Sequence, residues 1–337
     1  MARRLRTVPA VIVGGALFYL LLIPGLILGA LFDLGRGRVK MPTPRVTLFG
    51  AYYLAWEWYV LTISLVMWFA TGFGRFTDRP WSIALHRRLQ VGWANGLLNA
   101  MHHLLHLRVE IDGAECVAPG PVIVFCRHAS IIDTLLPAHI LSTYGGLALR
   151  YVLKHELLMD PMLDIVGNRI PNHFVDRSGH NTRAELDAIA ALAAGTGPQE
   201  SFTIFPEGSR FTPEKRDKAI AKLETIDPGL AVRAKGLQHT MPPRPGGPLA
   251  ILSATPGVDV VFMAHTGLEG LNGVRDAWRT VPFRNPVKVT CWRVAADDIP
   301  AGDPERVDWL FAEWSKVDDW IDEHRAHSRP TGAAAQM

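Results

Sequence analysis

Cysteine is scarce: 337 residues hold three, Cys116, Cys126 and Cys291. They form no CxxC pair and no even framework, which excludes a disulfide-stapled fold and favours a reducing, cytosolic setting. Acidic residues are scarce in the first third. Residues 1–106 carry 3 Asp and Glu against 11 Lys and Arg, whereas the remainder carries 29 against 24. The net charge of +3 conceals that division. Because the basic excess accompanies apolar stretches, it argues against nucleic acid and for a membrane surface bearing anionic lipid. Internal repeats are absent, and low complexity is confined to the tail after Arg329.

Charge is missing altogether from Val8–Phe32, a run long enough to cross a bilayer. Arg3, Arg4 and Arg6 precede it as in a signal peptide, but the run is too long for that and no small-residue cleavage site follows. Val46–Gly74 is a second apolar stretch, interrupted once by Glu57. Two full spans are the simple reading. Three features favour a bent hairpin entering one leaflet instead. Pro24-Gly25 breaks the first helix near its middle. A charge at mid-bilayer costs roughly 2.5–3.5 kcal/mol on insertion scales, so Glu57 is expected at an interface. Basic residues also flank every end, with Arg36, Arg38, Lys40 and Arg45 in the connection and Arg75 and Arg79 beyond. The positive-inside rule cannot place all these flanks in the cytosol if each stretch crosses once. Trp81–Leu107 then reads as an amphipathic helix, with Leu85, Leu89, Trp93, Leu97 and Met101 at helical spacing.

From residue 107 strand and helix patterns alternate, which argues an α/β fold. Strands are expected at Leu107–Ile111, Val122–Phe125, Arg150–Leu153, Ser201–Phe205 and Val287–Arg293. Gly167–Arg177 reads as a loop, and Thr182 with Glu185 as a capping box for a helix ending at Gly195. Val122–Phe125 is wholly apolar and β-branched, as suits a strand buried on both faces. It leads to His128, with Asp133 five positions on. On one helix such residues lie about 140° apart and cannot meet. They can meet if His128 occupies the loop and Asp133 the first turn of the next helix, where the carboxylate accepts Nδ1–H and frees Nε2 as a base. The alternative is that both merely satisfy backbone groups at a helix start. Ser201–Phe205 runs into Pro206-Glu207-Gly208-Ser209-Arg210, a turn that presents Arg210 at a strand's carboxyl end. Lys154, Arg177 and Arg210 are loop cations suited to phosphate, or ordinary surface charges. His102, His103 and His106 invite a metal reading, but the other histidines supply no matching box; no metal site is expected.

His-x-x-x-x-Asp, Phe174-Val175-Asp176-Arg177 and Phe205-Pro206-Glu207-Gly208-Ser209-Arg210, in that order, resemble the glycerolipid acyltransferase family typified by 1-acylglycerol-3-phosphate acyltransferases. The likeness covers roughly residues 107–265. It implies a mixed sheet flanked by helices and acyl transfer from a thioester, acyl-CoA or acyl carrier protein, to a lysophospholipid hydroxyl. By that resemblance His128 is the general base and Asp133 its orienting partner. Arg177, Glu207, Gly208 and Arg210 fall in blocks associated with the acceptor's phosphate, and Pro242 or Pro243 is the nearest match to a proline lining the acyl-donor site. No cofactor is implied beyond the thioester co-substrate. Arg127 stands where the family commonly has Asn, and Ser209 where its lysophosphatidate-specific branch has Thr.

The expected organisation is a two-helix membrane region over 1–75, an interfacial helix over 76–106 and an acyltransferase domain over 107–300. A carboxyl-terminal amphipathic helix over 301–327 and a tail over 328–337 complete it. Lysophosphatidic acid is the leading acceptor, and another lysophospholipid or glycerol-3-phosphate the alternative. A membrane di-iron desaturase is the reading from a different class. The expected location is the cell membrane, with the catalytic domain facing the cytoplasm.

Overall fold

The computed structural model describes residues 3–176, 182–271 and 273–325. Four helices come first: α1 (Arg4–Leu20), α2 (Leu22–Gly35), α3 (Pro42–Ala70) and α4 (Pro80–Leu105). Strands and helices then alternate as β1 (Val109–Asp112), β2 (Val122–Cys126), α5 (Leu135–Thr143), β3 (Ala148–Lys154), α6 (Pro161–Ile165), β4 (His173–Val175), α7 (Thr182–Ala194) and β5 (Glu200–Ile204). Next are α8 (Pro213–Ile226), α9 (Pro228–Gly236), α10 (Gly246–Ala254), β6 (Asp259–Thr266), α11 (Val274–Thr280), β7 (Val287–Val294) and α12 (Asp303–Arg325). The chain divides into two compact units. One comprises Met1–Leu107, Ala148–Ala188 and Asn272–Arg284; the other comprises Arg108–Leu147, Ile189–Leu271 and Asn285–Met337.

In the first unit the helix break falls at Leu21, between α1 and α2, which are bent by 62°. Pro24 explains its position. A proline ring clashes with the carbonyl four residues earlier, here Leu20, the last residue of α1. Among the described residues α3 alone is long and apolar enough to cross a membrane, and α1 with α2 is so only as a bent pair.

Glu57 is not at an interface. It is fully buried, accepting hydrogen bonds from Trp93 Nε1 at 3.3 Å and from the Met162 N–H at 3.2 Å. A charge that would be costly in lipid thus finds donors within the protein. The same face of α3 carries Val60, which packs with Leu89 of α4 and with Met162, Val166 and Ile170. Close approach of α3 and α4 depends on Gly96, where a Cβ would stand 2.7 Å from Trp56. The helix expected over Trp81–Leu107 therefore spends its apolar stripe largely on helix packing, although Trp81 remains 50% exposed. In the stretch read as a loop, β4 pairs in parallel with β3.

In the second unit β2 is central, pairing in parallel with β5 on one side and β6 on the other. β7 is antiparallel to β6 and parallel to β1, so the sheet is mixed. All five residues of β2 and of β5 are buried; β2 is continuously apolar, whereas β5 opens on Glu200, whose carboxylate accepts from the Gly197 N–H at 2.8 Å, before its apolar or small residues. α12 lays Leu310, Phe311, Trp314, Val317 and Ile321 into the core. Trp314 and Trp309 pack against Phe262 of β6, which also stacks on Trp292 of β7. Each such side chain contributes about 1.5–3 kcal/mol on burial. This unit holds the carboxyl ends of β2 and β5, where the motif residues lie.

Candidate active site

β2 ends at Cys126, and the chain continues its register for one residue, since Arg127 N–H donates to Met263 O of β6 at 3.0 Å. His128 then leaves the sheet. Its Nδ1 lies 3.1 Å from Asp133 Oδ1, so the two motif residues meet. Asp133 sits in a short 3₁₀ turn, Ile132–Thr134, ahead of α5. Its Oδ2 accepts the N–H groups of Ala129 at 2.6 Å and Ser130 at 2.7 Å. Asp133 therefore does both things the spacing allowed: it caps the turn with one oxygen and faces the imidazole with the other. Burial works to raise its pKa, but His128, His265 and the Ser130 N–H outweigh burial and hold the carboxyl below its usual value. An ionised Asp133 fixes the proton of His128 on Nδ1. His128 Nε2 makes no hydrogen bond among the described residues, and the side chain is 20% exposed. That is the geometry of a base awaiting a substrate.

Neither nearby nucleophile is poised to use it. Burial, reinforced by Asp133 and Glu207, pushes the Cys126 thiol well above its ordinary range, and Cys126 is fully buried. Ser130 Oγ donates to Leu271 O at 2.9 Å and accepts from Ile132 N–H.

The loop after β5 wraps the same backbone. Glu207 is fully buried, with Oε1 on the His128 N–H at 2.8 Å and Oε2 on the Met241 N–H at 3.0 Å. Burial pushes its pKa up to about 8, while Arg127 and the two N–H groups pull the other way. Two donors face its two oxygens, so the fold uses the carboxylate. The family resemblance groups Glu207 with the residues of the acceptor's phosphate. Here it is a strut between His128 and the segment that continues into Pro242 and Pro243, both buried. Phe211 N–H donates to His128 O at 2.9 Å, holding the chain just past Arg210 against the candidate base. Gly208 lies between, at φ +69°, where a Cβ would stand 3.0 Å from the Arg244 side chain. Arg210 itself is half-buried. Arg177 lies outside the described residues. Lys154, in the first unit, pairs with Glu156 at 2.8 Å.

Arg127, the departure from the family pattern, points inward. Its guanidinium donates to His265 O at 2.6 Å, to Glu269 at 2.5 Å and to His239 O at 2.8 Å. Although burial acts to raise the Glu269 pKa, Arg127 brings it down to about 2. His239 belongs to a segment fixed in turn by Asp318 of α12, which accepts the N–H groups of Gln238 and His239. The motifs single out Arg127 only as a departure and do not include His265 or Glu269. The available signal was that a histidine closes the apolar run of β6 and another follows that of β2 two residues on. Two of the histidines near residue 102 make contacts of their own: His102 Nδ1 lies 3.2 Å from Leu107 O, and His106 Nε2 lies 3.1 Å from the Arg45 guanidinium.

Residues 108–246 match the family model described as Acyltransferase. This stretch contains the whole His128, Asp133 and Glu207 arrangement, and the chain resembles the glycerolipid acyltransferases there. No curated protein matches the chain. Among solved structures it is similar to the 1-acyl-sn-glycerophosphate (LPA) acyltransferase PlsC of Thermotoga maritima, at 16% identity and a TM-score of 0.47, over 82% of this chain and 98% of that one.

Proposed function

We propose that this protein transfers a fatty acyl group from a thioester to the free hydroxyl of lysophosphatidic acid, forming phosphatidic acid. The observation that carries the reading is the His128–Asp133 pair at 3.1 Å with Nε2 left open. The buried Cys126 and the hydrogen-bonded Ser130 favour direct attack over a covalent acyl-enzyme. In the reaction the acceptor hydroxyl gives its proton to His128 Nε2 as its oxygen attacks the thioester carbonyl. The tetrahedral intermediate then expels the thiolate, which takes the proton from the imidazolium. An ester and a free thiol result, and the imidazole is restored.

Arg210, Gly208 and Arg177 are proposed to receive the acceptor's phosphate, and Pro242 and Pro243 to border the acyl donor. The donor is acyl-CoA or acyl carrier protein. The apolar helices before residue 107 attach the enzyme to the cell membrane, with the second unit in the cytoplasm. Purified protein in detergent, given each donor with a panel of lysophospholipids and glycerol-3-phosphate, tests the reading. Lysophosphatidic acid is expected to be the best acceptor. His128→Ala is expected to lower turnover by ~10²–10⁴-fold while leaving the protein folded. A folded His128→Ala with near-normal turnover refutes the mechanism.

A further inference from the structure

The histidine at the end of β6 stands beneath the candidate catalytic pair. His265 is fully buried. Its Nε2 lies 3.1 Å from Arg127 O and 3.6 Å from Asp133 Oδ2. Both neighbours are acceptors, so the ring proton belongs on Nε2. Nδ1 then has no hydrogen-bond partner among the described residues. A buried polar atom left unpaired is costly, and such atoms call for an explanation. The pairing lies elsewhere on the residue: His265 O accepts from the Arg127 guanidinium at 2.6 Å, and His265 Nε2 lies 3.1 Å from the Arg127 carbonyl. The two residues clasp each other, and the peptide they hold is the one that carries His128.

The geometry points to His265 as a positioning residue for acyl transfer, its Nε2–H fixing the Arg127–His128 peptide so that His128 Nε2 faces the acceptor hydroxyl. This rests on the reading of His128 as the base. His265 does not touch the reacting atoms. It acts through the peptide that carries the imidazole, and an apolar residue of similar size fills the space without supplying the N–H.

His265→Leu, His265→Gln and His128→Ala separate the possibilities. His265→Leu is expected to lower kcat about 10- to 100-fold, as a misplaced base does, with KM for donor and acceptor within about twofold of wild type. His265→Gln, whose amide N–H can reach the Arg127 carbonyl, is expected to recover much of the loss. Selective ¹⁵N-histidine NMR, with the His128 signals assigned from His128→Ala, gives a readout independent of turnover. Wild type should hold the Nδ1–H tautomer of His128, and His265→Leu should show a mixture. A folded His265→Leu with unchanged kcat and unchanged tautomer overturns the proposal, as does a Gln variant no better than Leu at equal folded fraction. An inactive His128→Ala beside a normal His265→Leu sinks the positioning role alone. An active His128→Ala sinks the base assignment on which it depends.

Discussion

Carboxylates at this site do three different jobs, set by what faces each oxygen. Asp133 divides its oxygens between an imidazole and two backbone N–H groups. Glu207 gives both to backbone N–H groups, and Glu269 faces a guanidinium. None is placed to bind an anion, so cations are left to meet the phosphate of the proposed acceptor. Arg210→Ala is expected to raise the acceptor KM about 10- to 100-fold with little effect on the donor KM, the scale of a charge-assisted hydrogen bond. Lys at 210 should restore only part, because it lacks the planar fork. Steady-state kinetics decide, and a loss confined to kcat would contradict the role. Glu269 makes a separate prediction. Its pKa falls from 4.5 to about 2 on folding, so its contribution to stability is complete above about pH 4.5 and lost as pH falls toward 2. Over that window the unfolded chain takes up a proton that the native state refuses. The contribution is on the order of 3 kcal/mol. Melting temperature in detergent should therefore fall less steeply between pH 5 and 3 in Glu269→Gln than in wild type. Asp133 is common to both proteins, so equal slopes would exclude Glu269 as the source.

At the scale of elements, the site is a junction of two strand ends and one returning segment. β2 delivers His128, β5 delivers Glu207, and the stretch at Met241 closes on Glu207 from the far side. Gly208 is the tightest point, because its φ of +69° is unfavourable to any Cβ and Arg244 occupies the space. Gly208→Ala is expected to cost about 1–2 kcal/mol in backbone strain alone. It should also lower kcat, since Glu207 and Phe211 on either side hold the His128 backbone. Denaturant unfolding together with kinetics checks both halves; unchanged stability would mean that the loop tolerates the left-handed residue. β2 and β5 were legible in the sequence because strands buried on both faces are short unbroken apolar or small-residue runs, and the turn after β5 was legible because Pro and Gly bracket Glu207. β4 was not. It is three residues long and only half-buried, so no alternation could reveal it. Glu185, read as a capping-box residue, meets His173 at 2.6 Å and the Asp176 N–H, because β4 brings partners that no local pattern predicts. The roles of Arg127 and His265 were hidden for a related reason: each acts through a contact more than a hundred residues away in sequence.

At the scale of the whole molecule, the membrane attachment proposed for α1 to α3 has two possible forms, a span or insertion into one leaflet. α3, at 29 residues, is about 43 Å long, more than the ~30 Å hydrocarbon core requires. Length therefore permits a span, but its contacts argue otherwise. Along one face of α3, Tyr53 bonds Asp160, Glu57 accepts from the Met162 N–H, and Ser64 O accepts from Arg169. At the start of α1, Arg3 and Arg4 both bind Asp164. The helices are thus bound to a polar segment between β3 and β4 from the amino terminus of α1 to the second half of α3. A helix surrounded by lipid at its midpoint could not make these contacts. The apolar residues it leaves outside, among them Leu65, Val66 and Phe69 on α3 and Ile23, Ile27, Leu28 and Leu31 on α2, suit insertion into one leaflet. Basic residues at both ends of α3 agree, since all can then remain on one side of the bilayer, the cytoplasmic side in the proposed arrangement. Cysteines placed at Lys40 and Arg75, both exposed, in a background without the half-buried Cys116, report the topology. Both should react with a membrane-impermeant maleimide from the cytoplasmic face alone, and the protein should need detergent for extraction after high-salt and carbonate washes. Labelling of the two positions from opposite faces would mean that α3 crosses, and the one-leaflet arrangement would be wrong.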